Sequence, residues 1–347
     1  MINTTDRPYT FKLTIHTMGK LEKAMYFMCQ NFSSKVDWVN KLEEVIKSSA
    51  SNMAPAKTES TVTRAVVCSM PPPEEVLAVV RVEDTLVLGT TQGLATVQDG
   101  TVVPVQGIHS PIYLMSHLPS LHLLVMITGD GDTAGQLVTL DTRPVLSRSS
   151  PVETVAIPDI DRCHIFSCKE TKQGKIFVCA ANEHLVTILE WSHKRGHFVL
   201  RNKFSTDLPT KSIFFTDQSV LVGTSKFYEI DLKNFAAEEY LDLSHPGIQK
   251  SVATMEFKDS SPRCVLSLES DNEEKEFILA FSRIILFVDA FGQETRPPIM
   301  FEKLPLQHKL MSNILVTTFC DRIQFISLAD PTKPGKHRLT LQFVSRL

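Results

Sequence analysis

Beyond residue 70 the chain repeats one arrangement of positions: a short, nearly unbroken apolar run, a tight polar turn, then a second apolar run. The copies span 85–97, 123–140, 175–191, 219–232, 276–290 and 313–328. Counted from Leu86, Leu123, Ile176, Val220, Phe277 and Ile314, the intervals are 37, 53, 44, 57 and 37 residues, close to the roughly 40–50 residues of a propeller blade. Val, Ile, Thr and Phe dominate the runs, as strands prefer, and no segment after residue 65 sustains a long 3.6-residue period. The pattern predicts an all-β chain, a β-propeller with six core hairpins. A β-sandwich is the alternative, but hairpins of equal grammar favour radial repetition. Runs without strict alternation are expected of strands covered on both faces. Leu86–Leu88, Phe177–Cys179, Val220–Val222 and Leu315–Val316 are accordingly read as inner strands, and Glu239–Leu243 as a half-exposed outer one.

The first 70 residues follow a different pattern. Tyr9, Phe11, Leu13 and Ile15 alternate as on a half-buried strand, and 24–29 reads as a second strand. A helix is predicted over 35–47, capped by Ser34 with Asp37 three residues on, its stripe formed by Trp38, Leu42 and Val45. The small, polar residues of 48–61 make a linker, and Pro71-Pro72-Pro73 a rigid break. A short α/β unit therefore precedes the propeller, with divisions at 1–48, 49–70 and 71–347.

Charge separates the same parts. Residues 1–64 hold nine Lys and Arg against six Asp and Glu, a net of +3, and residues 65–347 hold 27 against 33, a net of −6. A clearly basic surface, which nucleic-acid binding needs, is missing. No run of about 18 apolar residues predicts a membrane span, and the N-terminus lacks the apolar core of a signal peptide. The seven cysteines are scattered and odd in number, as expected for reduced thiols in the cytoplasm.

The candidate chemistry is thin. Gly129–Gly135 misses the dinucleotide glycine spacing, and as a calcium loop it has Ala134 at the fifth position, so a hairpin turn is expected. Cys163, His164, Cys168 and Cys179 do not form the two tight pairs of a structural zinc site. No nucleophile elbow, phosphate loop, metalloprotease helix or protein-kinase motif set occurs. The reading is a chain without catalytic residues, metal or cofactor; a site in the central channel of the propeller would need convergent polar groups on inner strands. What stands out is a basic hairpin tip, His193–His197, on an acidic ring. Lys194, Arg195 and His197 there, with Lys226 and Glu229 on a later hairpin, are the candidate partner-binding residues. Ser110, Ser150 and Ser261 each precede proline, a pair common by chance.

Gly223-Thr224-Ser225-Lys226-Phe227-Tyr228-Glu229-Ile230-Asp231-Leu232 resembles the most recognisable stretch of the citron homology (CNH) domain, in the version found in citron Rho-interacting kinases. Gly89-Thr90-Thr91-Gln92-Gly93-Leu94 is similar to that family's opening hairpin, Phe287–Gly292 to its Phe-Val-Asp-x-x-Gly turn, and Lys303-Leu304-Pro305-Leu306 to its Leu-Pro-Leu segment. Together these cover about residues 80–330. Upstream, 35–47 with its two strands resembles the end of a pleckstrin-homology domain, which precedes the CNH domain in these kinases. The resemblance implies a seven-bladed, non-catalytic propeller at the C-terminus of a cytokinesis kinase. It implies docking to a Rho-family GTPase and to contractile-ring or midbody scaffold proteins such as anillin, and placement at the cleavage furrow and midbody. The family domain continues for roughly one more hairpin than this chain, so the propeller is expected to be incomplete at its C-terminal end, or closed by an N-terminal strand such as 62–68 or 76–82. The early strands and phosphoinositide loop of the pleckstrin-homology domain are missing. Membrane recruitment through the basic N-terminal part is thus the second reading.

Overall fold

The structure, a computed structural model, describes residues 75–98, 101–129, 135–147, 151–160, 162–258, 260–268, 275–311 and 313–328. It also describes the backbone of strands at 2–4, 10–17, 20–28 and 338–342. The chain forms two compact units, Met1–Pro72 with Val97–Val103, and Pro73–Thr96 with Pro104–Leu347.

In the first unit, β1 (Ile2–Thr4), β2 (Thr10–Thr17) and β3 (Lys20–Met28) form an antiparallel sheet in that order. β2 and β3 make a hairpin closed by Thr17 opposite Lys20, which accounts for the strands expected near 9–15 and 24–29. The helix expected at 35–47, the linker at 48–61 and the strand at 62–68 lie outside the described residues.

The second unit, together with Val97–Val103, carries the blades of a β-propeller. Each is a four-stranded antiparallel sheet whose spatial order follows the chain. Blade 1 holds β4 (Val76–Val82), β5 (Thr85–Thr90), β6 (Gly93–Gln98) and β7 (Thr101–Pro104). Blade 2 holds β8 (Ile112–Leu118), β9 (Leu123–Thr128), β10 (Gln136–Asp141) and β11 (Thr154–Ala156). Blade 3 holds β12 (Ile165–Glu170), β13 (Ile176–Ala181), β14 (Leu185–Ser192) and β15 (His197–Ser205). Blade 4 holds β16 (Ser212–Phe215), β17 (Ser219–Gly223), β18 (Phe227–Asp231) and β19 (Ala237–Glu239). Blade 5 holds β20 (Pro262–Leu268), β21 (Glu276–Phe281), β22 (Ile284–Val288) and β23 (Glu294–Met300). Blade 6 holds β24 (Gln307–Met311), β25 (Ile314–Thr318), β26 (Arg322–Ser327) and β27 (Arg338–Gln342). Short helices α1 (Thr142–Ser147), α2 (Pro246–Val252) and α3 (Met255–Lys258) fill connections.

The first strands of consecutive blades touch one another, from β4 and β8 through to β20 and β24, so the first strand of each blade is the innermost. This corrects two sequence readings. The four runs read as inner strands are second strands, covered on both faces by neighbouring blades as expected but not innermost; β13, β17, β21 and β22 are buried along their whole length. The innermost strands border the axis and read as mixed sequence, as in Ile165–Glu170. Residues 76–82 are likewise the innermost strand of blade 1, paired with β5. The second correction falls on Glu239–Leu243. The outer strand ends at Glu239, and Tyr240 and Leu241 beyond it are buried.

The core sits between blades rather than within them. Five apolar cores among the described residues are each shared by two successive blades. One joins blades 1 and 2 through Val87, Ile112 and Met126, and the next joins blades 2 and 3 through Val125, Leu137 and Val178. Ile188 and Val220 link blades 3 and 4, Phe227 and Leu279 blades 4 and 5, and Phe287 and Leu315 blades 5 and 6. Phe227 meets Phe281 edge-on across one of these joints, with ring centroids 5.1 Å apart, the preferred aromatic geometry.

Candidate interaction surfaces

Several of the residues by which the sequence resembles the CNH family are used to build blades, whereas Phe291, Leu304 and Leu306 stand exposed. Asp289 accepts backbone N–H bonds from Phe291 at 2.8 Å and Gln293 at 3.0 Å, and so folds the turn between β22 and β23. Gly292 completes that turn at φ +74°, where a Cβ would lie 1.9 Å from the Tyr240 carbonyl oxygen of blade 4. The Tyr240 hydroxyl in turn donates to the Asp289 carbonyl at 2.8 Å. In blade 1 the Thr90 hydroxyl bonds the Gly93 carbonyl at 3.0 Å, which pins the Gly-Thr-x-x-Gly turn. Phe227 is buried while Tyr228 is only partly so, the alternation a strand imposes.

The five candidate binding residues fall at two separate places. Lys194 and Arg195 occupy the turn between β14 and β15 of blade 3 and His197 opens β15, all three exposed. That turn is held by Ser192, whose carbonyl accepts from Arg195 N at 3.0 Å and Gly196 N at 2.8 Å. Lys226 lies in the turn between β17 and β18 of blade 4, and Glu229 follows on β18. In an antiparallel meander the turn after a third strand and the turn after a second strand lie at opposite ends of the sheet, so these clusters open on opposite faces of the propeller. They also differ in commitment. Lys226 donates to Glu239 at 2.8 Å, and this bond raises the lysine pKa. Glu229 accepts from the Ser219 hydroxyl inside the same blade. The 194–197 tip holds the free cations of the five; no carboxylate pairs with Lys194 or Arg195 among the described residues.

One charged feature escapes sequence reading because three blades contribute to it. Asp217, in the turn between β16 and β17, is met by Lys169 at 3.6 Å, Lys172 at 3.7 Å and Lys275. The hydrogen bond from Lys275, with the added fields of Lys169 and Lys172, holds the Asp217 carboxyl below the usual range. Lysines 169 and 275 are over 100 positions apart, so no motif links them.

The cysteine–histidine group does not assemble into a site. Cys163 and Cys179 are buried, and burial pushes the Cys163 and Cys168 thiols up to about 12. A metal ligand must be a thiolate. Among the described residues no three His, Cys, Asp or Glu side chains cluster as a metal would need. The hairpin predicted around Gly129–Gly135 is present, with Thr128 opposite Gln136; residues 130–134 lie outside the described residues. No helix among the described residues is long and apolar enough to cross a membrane.

Six four-stranded blades among the described residues, with apolar cores shared by successive blades and charged turns at both ends, define a β-propeller. A family model for the CNH domain matches residues 82–330, and the chain belongs to that family. It is a non-catalytic propeller. The citron Rho-interacting kinase of Homo sapiens is 25% identical over 355 residues, which cover 95% of this chain and 17% of that protein. The citron rho-interacting kinase of Rattus norvegicus is 25% identical over 348 residues, covering 93% and 16%. The chain thus spans about a sixth of the length of these curated relatives. The solved AfRom2 CNH domain shares the fold at a TM-score of 0.63 and 18% identity, over 80% of this chain and 89% of that one.

Proposed function

We propose that this chain is the docking and regulatory propeller of a citron-type kinase, binding a Rho-family GTPase and contractile-ring or midbody scaffold proteins such as anillin at the cleavage furrow. The observation that carries the reading is the likeness to citron Rho-interacting kinases along 95% of the chain, joined to a propeller whose turns display charge at both faces. Rigid strands with exposed turns suit recognition of large partners. A specific partner covers roughly 1,200–2,000 Å² in total, more than one turn supplies, so the 194–197 tip acts as part of a wider contact. Residues 1–48 are read as the tail of a pleckstrin-homology domain, with β2 and β3 as its last strands.

The test is equilibrium binding of the full chain to Rho loaded with a non-hydrolysable GTP analogue, beside Rho loaded with GDP. Tighter binding to the GTP form is expected. The Lys194→Glu/Arg195→Glu double change is expected to weaken binding about tenfold with an unchanged melting temperature, since both side chains are exposed. A folded chain that binds neither form of Rho and no anillin would end this reading. Unaltered affinity in the double variant would remove the tip from the contact.

A further inference from the structure

Where blades 4 and 5 meet, the end of the propeller that carries the turns after the second strands gathers cationic side chains, with donors to spare, around two serines. Lys211 precedes β16, Ser261 precedes β20, Arg263 is the second residue of β20, and Ser282 and Arg283 form the turn between β21 and β22. The antiparallel order of the blades brings these five positions to one place. Lys211 Nζ donates to Ser261 Oγ at 3.2 Å, and Ser261 Oγ lies 3.1 Å from Ser282 Oγ. Arg263 Nε donates to Ser282 Oγ at 3.2 Å, and Arg283 N donates to Ser260 Oγ at 3.1 Å. Ser282 is 5% exposed, which makes it the floor, while Lys211, Arg263 and Arg283 are exposed around it.

The balance of charge and donors is uneven. Every recorded ion pair among the described residues leaves out Lys211, Arg263 and Arg283. The neighbouring carboxylates at this end act on Lys226, Glu239 by a hydrogen bond and Asp207 by its charge. A guanidinium has five N–H donors and an ammonium three; here two serine hydroxyls take one from each. Two buried threonine hydroxyls in the flanking segments, Thr210 Oγ1 and Thr224 Oγ1, also have no partner among the described residues. Thr210 adjoins Lys211, and Thr224 adjoins Gly223, whose carbonyl accepts from Lys211 N at 2.8 Å.

We infer that this cradle of Lys211, Arg263, Ser261 and Ser282, rimmed by Arg283, is a binding site for a phosphorylated segment of a protein partner. A phosphate monoester carries about −1.5 to −2 charge and three acceptor oxygens, which matches several cations and the partly exposed Ser261 hydroxyl better than a single carboxylate does, while Ser282, already bonded to the Ser261 backbone, holds Ser261 and Arg263 in place. The guanidinium presents paired donors suited to phosphate, and charge-assisted bonds of this kind are about twice as strong as neutral ones. Two observations favour a peptide over a bilayer. Residues 65–347 carry a net charge of −6, which an anionic membrane surface repels. Leu208, on the connection that ends at Lys211, is 47% exposed and offers an apolar contact for a neighbouring residue of the segment. Ser261 serves as a ligand rather than as a phosphorylation site, since Pro262 is buried and closes the Ser261-Pro262 pair to a proline-directed kinase. The inference rests on the interaction reading given above and names one class of partner for it.

The test uses the full chain and a degenerate phosphoserine peptide pool beside its unphosphorylated counterpart, followed by fluorescence anisotropy. The phosphorylated pool is expected to bind at least tenfold more tightly and to be displaced by millimolar inorganic phosphate. Lys211→Ala/Arg263→Ala is expected to abolish the preference at an unchanged melting temperature, and Lys211→Arg to retain it. Equal binding of the two pools, or a preference that survives the double change, would overturn the site. So would binding, lost in the double variant, to phosphoinositide vesicles alone, which would make it a headgroup site. A wild-type chain that binds Rho but ignores the phosphopeptides would overturn this site and leave the interaction reading standing.

Discussion

His308 shows how much a single position on an innermost strand is constrained. Its Nδ1 lies 3.0 Å from the Thr317 hydroxyl and its ring 5.6 Å from that of Phe301. Burial, with Arg263 adding a smaller repulsion, pushes the imidazole pKa down to about 4, against an ordinary value of about 6.5. The folded chain therefore needs this histidine neutral. Between those two values the unfolded chain binds more protons, so stability is complete above about pH 6.5 and is lost as the pH falls toward 4, by roughly 3 kcal/mol from this group. Urea unfolding at pH 7.0 and pH 4.5 should show that loss, and His308→Gln should flatten the difference. An equal difference in both proteins would mean that other groups set the acid response.

At the scale of strands and turns, the joint between blades 5 and 6 rests on an ion pair that has left water. Arg296 grips Glu276 through both ends of its guanidinium, at 2.7 and 2.9 Å, with side chains 13% and 11% exposed. Its Nη1 also donates to the Leu328 carbonyl of blade 6 at 2.7 Å. Removing one partner strands a buried charge, so Glu276→Ala is expected to lower stability by about 3–5 kcal/mol. Urea unfolding checks this, and a loss below about 1 kcal/mol would show that water reaches the guanidinium.

The same scale explains what the sequence disclosed. The hairpins of second and third strands were legible because both faces are covered, which demands unbroken apolar runs such as Phe277–Phe281. Apart from 76–82, the innermost strands were not, because Gln307–Met311 and Ser212–Phe215 border the axis and tolerate polar residues. Of the candidate contacts, the 194–197 tip was legible as a run of cations in one turn. The Lys211 and Arg263 cradle was invisible, since its members are single residues 52 positions apart that only the meeting of two blades unites.

For the molecule as a whole, the placement of the cores sets how it loosens. Among the described residues, blades 2 to 5 each share two cores with neighbours, and blades 1 and 6 share one. Stability in such an array is carried by nearest-neighbour interfaces, and opening is easiest where fewest hold. Native-state hydrogen exchange should therefore find the amides of β13 and β17 slowest, with β5 and β25 exchanging earlier. Uniform protection in all six blades would mean that the terminal blades are held as firmly as the central ones.

Cores placed at the joints also give the chain a mechanical character. Blades that own no private core, and that are each a local meander of about 46 residues, part from a neighbour as single units once a joint fails. Each release adds about 150 Å of slack while the remaining joints keep their shape. The module thus behaves less like a bolt that shears than like a cord folded into stitches, able to lengthen under tension while the blades still joined go on presenting their turns.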